Sequence, residues 1–107
     1  MPDHPTNGIK TDEFTRADTD IDLTEPKMYK VILHNDHYTT MDFVVEVLVS
    51  LFRKPAAEAT KIMLDVHKKG KGICGVYTYD IAATRVAQVH HLAAKREFPL
   101  KCSLEEA

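Results

Sequence analysis

The stretch Tyr29-Lys30-Val31-Ile32-Leu33-His34-Asn35-Asp36-His37-Tyr38-Thr39-Thr40-Met41-Asp42-Phe43 decides how this chain folds. Val31, Ile32 and Leu33 are residues that strands favour, whereas Asn35 and Asp36 are of the kind that hydrogen-bond their own backbone in turns. The run therefore predicts a strand that delivers two polar acceptors into a loop. Thr39 or Thr40 can then cap a helix, and Met41, Val44, Val45, Leu48 and Phe52 recur at the spacing of one helical face. A loop mounted between a rigid strand and a rigid helix is a common setting for binding residues.

Upstream, residues 1–26 hold seven acids against Lys10 and Arg16, a balance of −5, and show no sustained apolar period. Such a segment cannot bury enough surface to offset the entropy of ordering. It is expected as a flexible, disordered acidic extension closed by Pro26. Residues 27–107 are expected to form one core domain, which suits a chain of 107 residues that is 44% hydrophobic.

Downstream, the first helix is expected over about 40–52 and stopped by Arg53-Lys54-Pro55, because a residue before proline is pushed out of the helical region. Pro55 suits the first turn of a second helix. The apolar face of that helix reads Ala59, Ile62, Met63 and Val66, with His67 four residues after Met63 and on the same side. Gly70 supplies a stop, with Lys68 and Lys69 in the last turn. Ile73–Thr78 reads as a second strand, and Thr78 with Asp80 as the start of a third helix whose buried stripe is Ala82, Val86, Val89 and Ala93. Phe98–Leu104 reads as the last strand, with Pro99 at its beginning or on an edge. The order β-α-α-β-α-β predicts an α+β fold, a three-stranded antiparallel sheet packed on three helices.

Several functions are excluded on composition. Residues 27–107 carry twelve bases against nine acids, too mild and dispersed a balance for a nucleic-acid binder. The longest apolar windows fall far short of the roughly 20 residues a membrane span needs. Cys74 and Cys102 form no CxxC pair and read as buried small hydrophobes, with a disulfide across neighbouring strands left open. With no secretory leader ahead of the domain, a cytoplasmic location is expected. His90 and His91 point about 100° apart on a helix, and neither they nor His34 and His37 match the spacings of zinc sites, so no metal or cofactor is expected. Lys68-Lys69-Gly70-Lys71-Gly72 lacks the Walker order. No nucleophile with its base can be named, so no enzymatic activity is expected.

What chemistry remains lies in the opening stretch and the second helix. Asn35 and Asp36 offer a side-chain carbonyl and a carboxylate, and a neutral His67 offers a third acceptor, a set that matches one ammonium. Met41, Val44, Met63 and Val66 come from adjoining helices and can line a hole between them, with methionine adapting to variable apolar guests. The plainer alternative makes Asn35-Asp36 a turn, His67 a helix-face histidine and the four apolar residues core. His67 lies beside Met63 and Val66, where a polar group needs a partner.

Assembled, the motifs Met28–Asp36, Tyr38–Val44, Ala59–His67, Gly72–Thr78 and Pro99–Glu105 resemble the ClpS family, bacterial adaptors for N-degron substrates of the Clp AAA+ protease. The likeness covers about residues 27–107. It implies that Asn35, Asp36 and His67 hold the free α-amino group of a substrate protein. It also implies that the first side chain, typically Leu, Phe, Tyr or Trp, fills a pocket of Leu33, Thr39, Met41, Val44, Met63, Val66 and Leu100, in which Met41 crowds β-branched side chains. Asp80 and Arg85 match positions that dock on the N-terminal domain of the unfoldase ClpA, the partner of ClpP. The extension matches a segment used in substrate hand-over, and a monomer is expected. His37, at the pocket mouth, departs from relatives that often carry a second acid there, and Thr40 stands where proline is common. An alternative of another class is a ribosome-associated small α+β interaction domain, which fold alone does not separate from an adaptor. The Asn-Asp turn and the Met- and His-bearing helix do separate them.

Overall fold

The computed structural model of the chain describes residues 25–107. Residues 1–24 of the expected extension lie outside them. The strand foreseen at Met28 forms as β1, Met28–His34, and runs down the middle of the sheet. It pairs antiparallel with β2, Lys71–Thr78, on one side and with β3, Lys101–Glu106, on the other. Helices α1, Met41–Ser50, α2, Ala56–Lys69, and α3, Tyr79–Lys95, complete the order β-α-α-β-α-β. The expected architecture therefore holds.

Being central, β1 has both rows of its backbone groups paired and keeps its apolar run out of water. Val31 and Leu33 are fully buried in the core cluster with Phe43, Val47, Leu48, Val89 and Ala93 from the helices. Ile32, which points the other way along the pleat, is still only 3% exposed. The stripes foreseen on α2 and α3 are the buried ones, namely Ala59, Ile62 and Val66 on α2 and Ala82, Val89 and Ala93 on α3. Met63 and Val86 pack at their margins.

Several boundaries differ from the sequence reading, β2 for one opening at Lys71 instead of Ile73. Helix α1 ends at Ser50 because the backbone reverses at Arg53, φ 56°, and the Lys54 amide reaches back to the Leu48 carbonyl at 3.0 Å. Pro55 sits at the N-cap of α2 and not inside its first turn, with an extended ψ of 153°. Strand β3 begins at Lys101 instead of Phe98. Glu97 takes a left-handed φ of 60°, Phe98 turns its ring onto Phe43 at 4.9 Å between centroids, and pairing starts only where Lys101 meets His34.

Cys74 and Cys102 are buried, as foreseen, and both are free thiols. They lie on β2 and β3 with β1 between them. Two strand spacings, roughly 10 Å, exceed the roughly 7 Å between Cα atoms that a disulfide can bridge, so the cross-strand bond left open does not form. Burial pushes the Cys102 thiol up to about 12 and the Cys74 thiol higher, which leaves both unreactive.

Two contacts fix the helices over the sheet. The Arg96 guanidinium, just past α3, holds Glu46 of α1 at 2.6 Å and lies 5.6 Å from the centre of the Phe43 ring. At Gly72 the backbone of β2 passes so close under α2 that a Cβ there would stand 2.8 Å from Val66 Cγ2 and 3.1 Å from the Ile62 carbonyl oxygen.

Candidate functional site

The polar loop between β1 and α1 is built by its own side chains and one long-range bond. The Asn35 amide donates to the Gly70 carbonyl at 2.9 Å. Gly70 is the left-handed cap of α2, φ 91°, where glycine is favoured. The end of β1 is thereby tied to the end of α2, and His67, one turn before that cap, is brought to the same place. This bond is what makes one site of two segments more than thirty residues apart.

Asp36 then folds the loop. Its Oδ1 accepts from the Tyr38 and Thr39 amides at 2.8 and 2.7 Å, and its Oδ2 accepts from the Thr39 hydroxyl at 2.7 Å. Burial pushes this carboxyl up, but the Thr39 hydroxyl, the Thr39 and Tyr38 amides and the charge of His37 outweigh it, and its pKa lies below the ordinary 3.8. Asp36 is thus an anion at neutral pH with acceptor capacity left on Oδ2. The turn role set against a binding role in the sequence is filled by this carboxylate, and it leaves acceptor capacity on Oδ2. Thr40, the other candidate cap, accepts from the Phe43 amide at 3.1 Å and starts α1.

Between this loop, α1 and α2 lies a concavity of about 220 Å³ lined by Asn35, Asp36, His37, Thr39, Met41, Val44, Met63, Val66 and His67. Val44 and Val66 are buried and form its apolar floor, Met41 and the half-buried Met63 its walls. Asn35, Asp36, His37 and His67 gather the polar atoms on its margin. It is smaller than the roughly 300–1,000 Å³ of pockets that bury drug-sized ligands and suits one large side chain.

Nine of the thirteen candidate residues thus share one hollow, His37 among them; Leu33 and Leu100 are buried in the adjoining core instead of on its lining. His67 is exposed and makes no hydrogen bond among the described residues. It is solvated and needs no protein partner, so the burial argument made for it does not apply; its place is set by the Asn35–Gly70 bond. Asp80 and Arg85 lie on α3, which contributes nothing to the hollow, and Arg85 Nη1 donates to Gln88 Oε1 at 3.2 Å. The other histidines have separate tasks. His34 Nε2 meets the Ser103 hydroxyl at 2.6 Å, and His90 Nε2 accepts from the Cys102 amide at 3.0 Å. The sequence reading missed the Asn35–Gly70 bond, whose only local trace is the glycine that caps α2, and Gly72, which sets the height of the pocket floor.

Comparison with known proteins agrees with this geometry. Residues 24–103 match the family profile described as ATP-dependent Clp protease adaptor protein ClpS. The chain is 68% identical over 84 residues to the ATP-dependent Clp protease adapter protein ClpS of Syntrophus aciditrophicus (strain SB), covering 78% of each chain. It is 62% identical over 92 residues to that of Acetivibrio thermocellus, covering 86% of this chain and 93% of the relative. A solved structure, that of Agrobacterium tumefaciens ClpS2 bound to L-phenylalaninamide, superposes with a TM-score of 0.75 at 35% identity over 78% of this chain and 100% of that one. With its sheet order, its capped polar loop and its methionine-walled hollow, the chain belongs to the ClpS family of ATP-dependent Clp protease adaptor proteins.

Proposed function

We propose that this adaptor seizes proteins by their first residue, when that residue is Leu, Phe, Tyr or Trp, and delivers them to the ClpA–ClpP protease. The observation that carries the reading is the one-sided polarity of the hollow: a floor of Val44 and Val66, walls of Met41 and Met63, and a margin holding Asn35, ionised Asp36 and His67. An N-terminal residue has that same polarity, with an apolar side chain on one side and an ammonium on the other. The ammonium donates to Asp36 Oδ2, the Asn35 side-chain carbonyl and a neutral His67 ring, and such charge-assisted bonds are the strong ones. L-phenylalaninamide, the ligand of the related structure, has a primary amine, a phenyl side chain and an amide where a chain would continue, so it imitates the first residue of a protein.

In this reading the chain works by binding and presentation and performs no bond-breaking step of its own. Asp80 and Arg85 on α3 serve to dock the unfoldase, a monomer suffices, and the place of action is the cytoplasm. Two peptides with Phe first, identical but for acetylation of the N-terminus, test the reading directly. The free amine peptide binds and the acetylated one loses at least about a hundredfold, the scale of an unmet charge in a recognition site. Equal affinities would dismiss the amine-reading role.

A further inference from the structure

The register of the sheet collects a second polar feature that the pocket does not use. His34 stands opposite Lys71 on β2 and opposite Lys101 on β3. Leu33, the next residue along β1, is buried toward the helices, so by the alternation of the pleat this row faces the other way. Three polar side chains, two of them cationic, thus run straight across three strands, the lysines flanking His34 about two strand spacings, roughly 10 Å, apart. Lys71 and Lys101 are exposed and belong to no ion pair among the described residues. His34 is held in the row by its 2.6 Å contact with Ser103.

Among the described residues no carboxylate forms an ion pair with the row. Asp65 is paired with Lys69 at 3.6 Å, Asp36 is engaged by three donors, and Glu105 stands opposite Lys30, four residues along β1 from His34 and so roughly 13 Å away. On the β2 side the row adjoins a depression of about 380 Å³ floored by Ile32, Gly72 and Ile73 and edged by three lysines, Lys30, Lys69 and Lys71, against two acids, Asp65 and Glu105. What sets the row apart from ordinary surface lysines is its position, one residue ahead of Asn35. A substrate anchored by its amine at Asn35 and Asp36 continues outward by about 3.3–3.6 Å per residue. Its third to sixth residues then lie roughly 7–18 Å along the chain from the amine, a span that a chain turning toward the end of β1 covers to the lysines opposite His34.

We propose that the Lys71–His34–Lys101 row is a second recognition element, which takes acidic side chains two to five positions behind the first residue of the bound chain. This rests on the amine-reading function proposed above and adds to it a substrate class: chains whose first residue is large and apolar and whose next few residues are acidic. The first residue supplies the anchor and the row discriminates among anchored chains.

The test uses the full chain and three Phe-led peptides carrying Asp-Asp, Asn-Asn or Lys-Lys at positions 3 and 4, titrated by fluorescence anisotropy at low and high salt. At low salt the Asp-Asp peptide binds about fivefold tighter than Asn-Asn, as two exposed ion pairs allow. Lys-Lys binds weaker than both, and the spread collapses at about 1 M salt, where the screening length is only about 3 Å. In the double variant Lys71→Gln, Lys101→Gln, the Asn-Asn affinity stays at the wild-type value while the Asp-Asp advantage disappears. Equal binding of Asp-Asp and Asn-Asn by the wild type, or an advantage that survives in the double variant, would overturn the proposal. So would an oligodeoxynucleotide that binds the row while the peptides bind alike. Failure of the underlying reading looks different, because then the Asn-Asn peptide itself binds no better than its acetylated form.

Discussion

Two hollows in this molecule invite comparison. The one between the polar loop, α1 and α2 holds about 220 Å³ and ends in four polar side chains drawn from a loop and a helix. The other, where the end of α1 meets α3, holds about 470 Å³ and is lined by Leu51, Thr84, Ala87, Gln88, His91 and Leu92. The larger one has more apolar surface to offer and no carboxylate or ammonium. An apolar guest could lie there in many orientations, whereas the smaller hollow offers apolar groups at one end and polar groups at the other. Recognition follows the convergence of a few polar groups on an apolar well, and volume is the poorer guide.

The sharpest way to break this contrast is to remove the charge from the small hollow. Asp36→Ala is expected to weaken a Phe-led peptide by about a hundredfold or more, in the range of about 2–5 kcal/mol for deleting one member of a hydrogen-bonded charge pair. His91→Ala, in the larger hollow, should leave the isothermal titration curve unchanged. Similar losses in both variants would show that the two hollows share the work. Next in size is Gly72→Ala, which places a methyl 2.8 Å from Val66 Cγ2. Overpacking of this kind costs about 1–3 kcal/mol of stability, seen as a lowered denaturation midpoint. Because Val66 is pocket floor, a Phe-led peptide should lose more affinity than a Leu-led one, and an equal loss would place the strain outside the hollow.

A smaller effect concerns pH. The Asp36 carboxyl has a lower pKa in the folded chain than its ordinary 3.8, so it adds stability above that value and loses it as pH falls through the depressed folded pKa. The difference in melting temperature between wild type and Asp36→Asn should be present at pH 6 and shrink as the pH is taken below 3.8. A difference that stays constant across this range would mean that the loop bonds do not depend on the charge. The least effect is expected at the rim. His37→Asp should tighten a Phe-led peptide with Lys second by at most about 1 kcal/mol at low salt, as an exposed pair permits. Unchanged binding would remove His37 from the pocket mouth.

Much of the molecule could be read before folding because its signals are local. The Val31–Leu33 run, the Asn35-Asp36 turn, the threonine cap and the Gly70 stop each act within a few residues of themselves, and each element they announce is present. The misreadings occur where tertiary structure overrides propensity. Phe98 and Leu100 look like strand residues but are spent on the core, so pairing waits until Lys101. Leu33 and Leu100, which the resemblance gives to the pocket, are buried in the core that adjoins the hollow. His67 was argued from burial and is exposed. The row across the sheet depends on the pairing register of three strands, which no single stretch of sequence specifies.

The bond from the Asn35 amide to the Gly70 carbonyl also bears on when the protein can act. Closing it requires a thirty-five-residue excursion of chain, an entropic cost that only the completed hairpin of helices and the paired sheet offset. A partly synthesised or unfolded copy therefore lacks the assembled hollow, and on the function proposed above ligand binds only the native state. Occupancy and folding are then thermodynamically linked, so a Phe-led peptide at a hundred times its dissociation constant should raise global stability by about 2.7 kcal/mol. The same quantity measured by amide exchange at Asn35 would report, residue by residue, whether the loop and helix open together.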